Sequence, residues 1–252
     1  MLIRLMMDKI LLDYQAPSDV EVKVEVCVPL RAGSIADTLI MLRKAEDSGA
    51  DLIEIRLDYT NLGFPEIVKL LDNIVKQCST PLIATNRQRR QGGKCNLSEE
   101  KRIKTLISAA EVGFTYVDIE LTTQRLEEVV KEIKARGAET IVSFHDFNHT
   151  PSIGDMKKIV EAQINAGADL CKFVTMAKNI SDSIKSLLFT HEMSKKTGIV
   201  CFAMGKYGLL SRVLSPLFGA SFTYASLGEG LETAPGQISI YELREIYRKF
   251  GV

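Results

Sequence analysis

The chain is constrained most by an alternation that recurs eight times along its 252 residues: an apolar strand-like run followed by a stretch with helical apolar spacing. The strand-like runs are VKVEVCVPL (22–30), DLIEIRLDYT (51–60), PLIATNR (81–87), TYVDIEL (115–121), ETIVSFHDF (139–147), DLCKFVTMA (169–177), GIVCFAMG (198–205) and SFTYASLG (221–228). Helical stretches follow each. The first opens on Ser34 as an N-cap and closes on Gly49, the sixth runs over 181–196, and the last is ISIYELREIYRKFG. Such alternation gives a parallel sheet with helices outside, and eight units in roughly 250 residues predict an α/β fold, a single (β/α)8 barrel domain over 1–252. A doubly wound open sheet would carry G-x-G-x-x-G after its first strand, and VPLRAGSIADTL has no such fingerprint. Residues 1–20, polar and proline-containing after a short apolar start, are expected to form a short hairpin closing the barrel's bottom.

Two residues break this apolar pattern. Strands covered on both faces read as near-continuous apolar runs, yet the fifth carries His145 and the sixth Lys172. A lysine there faces a heavy desolvation cost unless it opens into a pocket, where a desolvated amine becomes a nucleophile toward carbonyls. Lys172 has no acid next to it on its face of the strand; Asp169 points the other way by the two-residue period. The C-terminal strand ends of a barrel form its working mouth. The same face collects Glu54 and Arg56, continued by Asp58, then Arg87, Arg212 at the start of the seventh helix, and Thr233 and Gln237 from the GEGLETAPGQ loop.

Each of these has an ordinary reading as well. Glu54 and Arg56 could pair structurally, His145 could be a hydrogen-bonded core histidine, and Arg87 and Arg212 could be surface residues. Their convergence on one mouth favours chemistry. Lysine can form an imine with a ketone, and a histidine one strand away, about 4.8 Å laterally, can move the adjacent proton. Arginines suit a carboxylate, and Glu, Gln and Thr suit hydroxyls. A polyhydroxylated keto-acid losing water fits this set. Three scattered histidines give no metal-ligand spacing, so neither a metal nor an organic cofactor is expected.

The totals narrow the compartment and partners. Lys+Arg and Asp+Glu are both 32, without block clustering, which argues against nucleic-acid and anionic-membrane surfaces. The five cysteines form no C-x-x-C pair and three lie in apolar runs, as reduced thiols of a cytoplasmic protein would. No run reaches ~18 apolar residues.

The chain resembles type I 3-dehydroquinate dehydratases from about residue 22 onward. The resemblance rests on ordered motifs: EIRLD (54–58), TNR followed by QGG (85–87, 91–93), VDIEL (117–121), SFHDFNHTP (143–151), CKFVTMA (171–177), MGKYGLLSR (204–212), PLFG (216–219) and APGQI (234–238). It implies a (β/α)8 barrel, often a homodimer, that converts 3-dehydroquinate to 3-dehydroshikimate by syn elimination of water in the shikimate pathway. By position it implies Lys172 as imine former, His145 as acid and base, and Arg212 as carboxylate binder. Glu54, Arg56, Arg87 and Gln237 become substrate contacts.

Two positions depart from that family's usual pattern. Gln91 stands where a glutamate commonly partners the histidine, which predicts a less basic His145 or a substitute acid such as Glu54. Thr233 stands where serine is common and keeps the hydroxyl. Two alternatives remain at this point: another imine-forming barrel enzyme of the class I aldolase type, with a glycine-built phosphate site after strands seven and eight, and a non-catalytic barrel kept for binding.

Overall fold

A computed structural model describes residues 24–252, so the expected N-terminal hairpin lies outside the described residues. Among the described residues, eight parallel strands alternate with eight α-helices. They are β1 (Val26–Arg31), α1 (Ile35–Asp47), β2 (Leu52–Arg56), α2 (Phe64–Gln77), β3 (Leu82–Thr85), α3 (Glu99–Val112), β4 (Tyr116–Glu120) and α4 (Leu126–Ala135). The second half holds β5 (Glu139–His145), α5 (Ile153–Asn165), β6 (Leu170–Met176), α6 (Ile180–Met193), β7 (Gly198–Met204), α7 (Leu209–Leu214), β8 (Thr223–Tyr224) and α8 (Ile240–Phe250).

Neighbours in the sheet follow the order β7-β6-β5-β4-β3-β2-β1-β8, all pairs parallel. Between its two ends the Ser221 N–H donates to the Ile199 carbonyl at 2.8 Å, and the cylinder comes nearly to closure. The predicted (β/α)8 barrel is the observed one.

Local chemistry sets the helix starts. Ser34, Ser98, Ser152 and Ser239 each accept from a first-turn N–H, and Glu242 completes a capping box with Ser239. Two core layers result from the two-residue strand period. Ile53, Ile55, Ala84, Val117, Ile119 and Val142 pack outward under the helices. Leu52, Ile83, Ile141, Leu170 and Phe222 fill the lumen with Cys27 and Tyr224. A lumen plugged by apolar side chains leaves the next inward-facing residues to line whatever space remains above.

Several boundaries differ from the sequence reading. The second strand ends at Arg56, where a single 3-10 turn (Leu57–Tyr59) folds Asp58 back instead of continuing the face. The eighth strand shrinks to two residues, and on either side of it the run keeps only scattered backbone hydrogen bonds, from Ser221 to Ile199, Ala225 to Cys27 and Ser226 to Ile238. Helix α6 starts after Asn179, whose side chain caps it, and stops at Met193. Helix α7 begins at Leu209, which puts Arg212 in its last turn and not at its start.

Candidate active site

Glu54, Arg56, Arg87, Gln91, His145, Lys172, Arg212, Thr233 and Gln237 all line one cavity. The residues singled out in the sequence as site residues are therefore brought together, except Asp58, which folds back to pair with Arg56 outside the cavity lining. The apolar wall opposite the charges is built by Phe147, Val174, Phe202 and Met204. Lys172 sits deeper than the rim, as the third residue of the seven-residue β6, and is 5% exposed.

Lys172 has no acid beside it in sequence, yet two reach it in space. Lys172 Nζ donates to Asp118 Oδ2 at 3.0 Å and to the Tyr224 hydroxyl at 2.7 Å, and lies 3.5 Å from Glu54 Oε1. Both acids come from other strands across the lumen, where adjacency in sequence gives no warning. Asp118 also receives Arg87 Nη2 at 2.7 Å and the Ser143 hydroxyl at 2.6 Å. Burial would raise the Asp118 carboxyl, but Arg87 and Lys172 overcome it and hold the group well below the ordinary carboxylate range. Asp118 is thus a fixed anion.

The suggested Glu54–Arg56 ion pair does not form. Arg56 is bidentate to Asp58, at 2.8 and 2.9 Å, because the 3-10 turn returns that carboxylate to it. Glu54 instead accepts from the Thr85 hydroxyl at 2.6 Å.

His145 is partly buried, and its Nδ1 is sealed without a hydrogen-bond partner among the described residues. Its ring stacks on Phe147 with centroids 5.9 Å apart. Loss of solvation, together with the Arg87 and Lys172 charges, pushes its pKa well below the ordinary histidine value; Asp118 opposes this. The imidazole is accordingly neutral, the form that can accept a proton. Gln91 reaches His145 through the backbone: its Oε1 accepts from the His145 N–H at 3.1 Å. Gly92 and Gly93 make that approach feasible. A Cβ on Gly93 would lie 2.0 Å from the Arg87 carbonyl oxygen, and Gly92, at φ +77°, abuts the Phe147 ring.

Arg212 is 1% exposed and faces no carboxylate among the described residues. Its Nη2 donates to the Pro235 carbonyl at 3.4 Å, its Nε has no hydrogen-bond partner among the described residues, and its Cζ lies 4.3 Å from the Phe202 centroid. Burial pushes its pKa down to about 10, still a cation at neutral pH. A buried cation without an anion is a receptor for one. Gln237 Oε1 accepts from the Thr233 and Ala234 N–H groups at 2.7 and 3.3 Å, which folds the loop so that Thr233 and Gln237 border the cavity beside Arg212.

Sequence reasoning missed Asp118 and Tyr224. Asp118 had a signal, since VDIE alternates charged with apolar residues as EIR does; Tyr224 had none, for an aromatic in an apolar run reads as core.

Residues 26–252 match the family model of type I 3-dehydroquinase. The 3-dehydroquinate dehydratase of Dehalococcoides mccartyi is 42% identical over 207 residues, 82% of this chain and 88% of that protein. That of Methanosarcina acetivorans is 34% identical over 236 residues, 91% and 96% of the two chains. A type I 3-dehydroquinate dehydratase from Clostridium difficile, solved with covalently modified comenic acid, superposes with a TM-score of 0.83 at 27% identity, over 91% of this chain and 93% of that one.

Proposed function

The chain belongs to the type I 3-dehydroquinase family, and from that premise we propose that Lys172 is its imine-forming amine and His145 its proton carrier. The overall reaction is removal of water from 3-dehydroquinate to give 3-dehydroshikimate, a hydro-lyase step of the shikimate route to chorismate and the aromatic amino acids.

Lys172, once a proton has left its ammonium, adds to the ketone carbon, and the resulting carbinolamine loses water to become a protonated imine. The C=N⁺ bond acidifies the neighbouring carbon. Neutral His145 takes that proton, leaving an enamine. The enamine electrons expel the β-hydroxyl, which leaves as water with the proton His145 returns, on the face from which it was removed. Hydrolysis of the imine consumes one water, releases the product and restores the amine, so one water is lost per cycle. Arg212 receives the substrate carboxylate, while Glu54, Arg56, Arg87, Thr233 and Gln237 meet its oxygens. Gln91 supports the His145 backbone. This chemistry asks for no metal and no organic cofactor.

The observation that carries the reading is a buried amine and a neutral imidazole in one cavity with an unmatched guanidinium. The aldolase-type alternative needs glycines free to cradle a phosphate after β7 and β8. A Cβ on Gly208 would lie 2.3 Å from the Ala203 carbonyl oxygen, and one on Gly236 would lie 2.9 Å from that of Gly205. Those two glycines serve backbone packing; Gly228 and Gly230 after β8 are open, and the unmatched Arg212 beside the loop suits a carboxylate.

Borohydride added with 3-dehydroquinate should leave a stable adduct on Lys172, read by intact mass and peptide mapping. Lys172→Ala should give neither adduct nor turnover; appreciable turnover in that variant overturns the imine. A wild-type chain with no adduct and no activity would be a binding protein instead.

We take the enzyme to be cytoplasmic and homodimeric. Supporting the first, all five thiols are free. No helix among the described residues is long and apolar enough to cross a membrane. Supporting the second, Ile180, Tyr207, Leu209, Leu210 and Phe250 expose an apolar patch that a second copy could cover. Sedimentation at micromolar concentration distinguishes dimer from monomer.

A further inference from the structure

We propose that Tyr224 positions the reactive nitrogen of Lys172 through the steps in which that nitrogen changes charge. The inference rests on the imine reading above.

Three groups surround Nζ: Asp118 at 3.0 Å, Glu54 at 3.5 Å and the Tyr224 hydroxyl at 2.7 Å. They match the three N–H donors of an ammonium. The match fails as soon as the nitrogen reacts, because a neutral amine keeps two hydrogens and a protonated imine only one. Carboxylates only accept, so a nitrogen that has given up protons has less to offer Asp118 and Glu54. A hydroxyl both donates and accepts. Among the described residues around Nζ, Tyr224 alone can donate to the lone pair of the neutral amine and, by turning its O–H, accept from the N–H of the ammonium and of the protonated imine.

The ring that carries this hydroxyl is held firmly. Tyr224 is 4% exposed, and its ring packs at steep angles against Phe222 (centroids 5.5 Å, 63°) and Phe202 (6.1 Å, 58°). Its backbone sits in register with Cys27 of β1. Burial, reinforced by Glu54, pushes the phenol well above its ordinary pKa, so it stays neutral beside the Asp118 anion. Phe202 also underlies Arg212. One aromatic cluster therefore fixes both the nitrogen that attacks and the guanidinium that receives the carboxylate.

Tyr224→Phe deletes the hydroxyl and keeps the ring and its packing. The expected result is a fall of about tenfold or more in the rate at which borohydride traps the 3-dehydroquinate adduct, with a matching fall in kcat. KM should move less than threefold and the melting temperature should stay within a degree or two of wild type. The pH dependence of trapping should also shift, a change that a purely structural role would not produce. A wild-type chain that traps the adduct and a Tyr224→Phe chain that traps it at the same rate with the same pH profile would overturn the positioning role alone. Absence of any wild-type adduct would overturn the imine itself, and this inference with it. If Tyr224→Phe melts early, Phe222→Leu supplies the comparison: a variant that melts as early yet traps at the wild-type rate assigns the loss in Tyr224→Phe to the hydroxyl, whereas equal slowing in both assigns it to packing and overturns the proposal.

Discussion

His145 stands one pleat above Lys172 on the neighbouring strand: Lys172 is in register with Ser143, and His145 follows two residues later on the same face, in register with Val174. A base above the amine is placed beside the carbon next to the one the amine attacks. His145→Ala should therefore leave imine formation intact and slow proton transfer by roughly 10²–10⁴-fold in kcat. Borohydride trapping checks the first half and steady-state turnover the second. Loss of trapping in this variant would mean that His145 serves the addition step as well.

The depressed pKa of His145 sets the acid limb of the pH profile. The base form is the active one, so kcat/KM should hold through pH 6.5 and fall only at lower pH, below the ordinary histidine value. Gln91→Glu would place a carboxylate at the His145 backbone N–H, now bonded to the Gln91 amide oxygen. A carboxylate favours imidazolium, so the limb should move to higher pH in that variant. Identical limbs in the two proteins would show that residue 91 does not tune the imidazole.

Arg212 combines a binding role with a stability cost. Arg212→Met keeps much of the apolar stem and removes a buried cation with no carboxylate opposite it. KM should rise about 10–100-fold, the worth of a charged hydrogen-bonded contact. Thermal stability should hold or rise, because the desolvation penalty goes with the charge. A large drop in melting temperature would reveal that the stack on Phe202 matters more than the charge.

Asp118 makes stability depend on acid. Its native carboxyl is held well below the ordinary range, while in the unfolded chain it titrates near 3.9. As pH falls below about 4, the unfolded state binds a proton that the native state refuses. Stability present above that pH is thus lost as the solution approaches the native pKa. Asp118→Asn should destabilise the protein by about 3–5 kcal/mol at neutral pH, since it leaves Arg87 and Lys172 short of a buried anion. It should also flatten the decline between pH 4 and 2. Urea midpoints across that range provide the check, and parallel curves for the two proteins would contradict the assignment.

The barrel was legible because its two periods are written plainly: inward-facing residues every second position in strands and apolar stripes in helices. Lys172 and His145 stood out for the same reason, as polar residues where burial on both faces demanded apolar ones. What stayed hidden depends on contacts across the cylinder. Asp118 lies 54 positions from Lys172 in sequence yet 3.0 Å away in space, and no local pattern announces such a partner. The return of Asp58 to Arg56 was equally hidden, because LDYT reads as strand continuation while the turn that bends it is set by tertiary packing. Tyr224 was hidden most deeply, being identical in pattern to a core aromatic.

The two-residue β8 makes the barrel a cask with one short stave. That stave bears the tyrosine touching the amine, and toward β7 the chain is joined at Ser221 by a backbone hydrogen bond to Ile199. Brief parting of this seam on warming would let the phenol drift while the seven longer staves stay in place. Heat should then silence turnover before it melts the cylinder, and backbone deuteration should be fastest, among the strands, along residues 221–225.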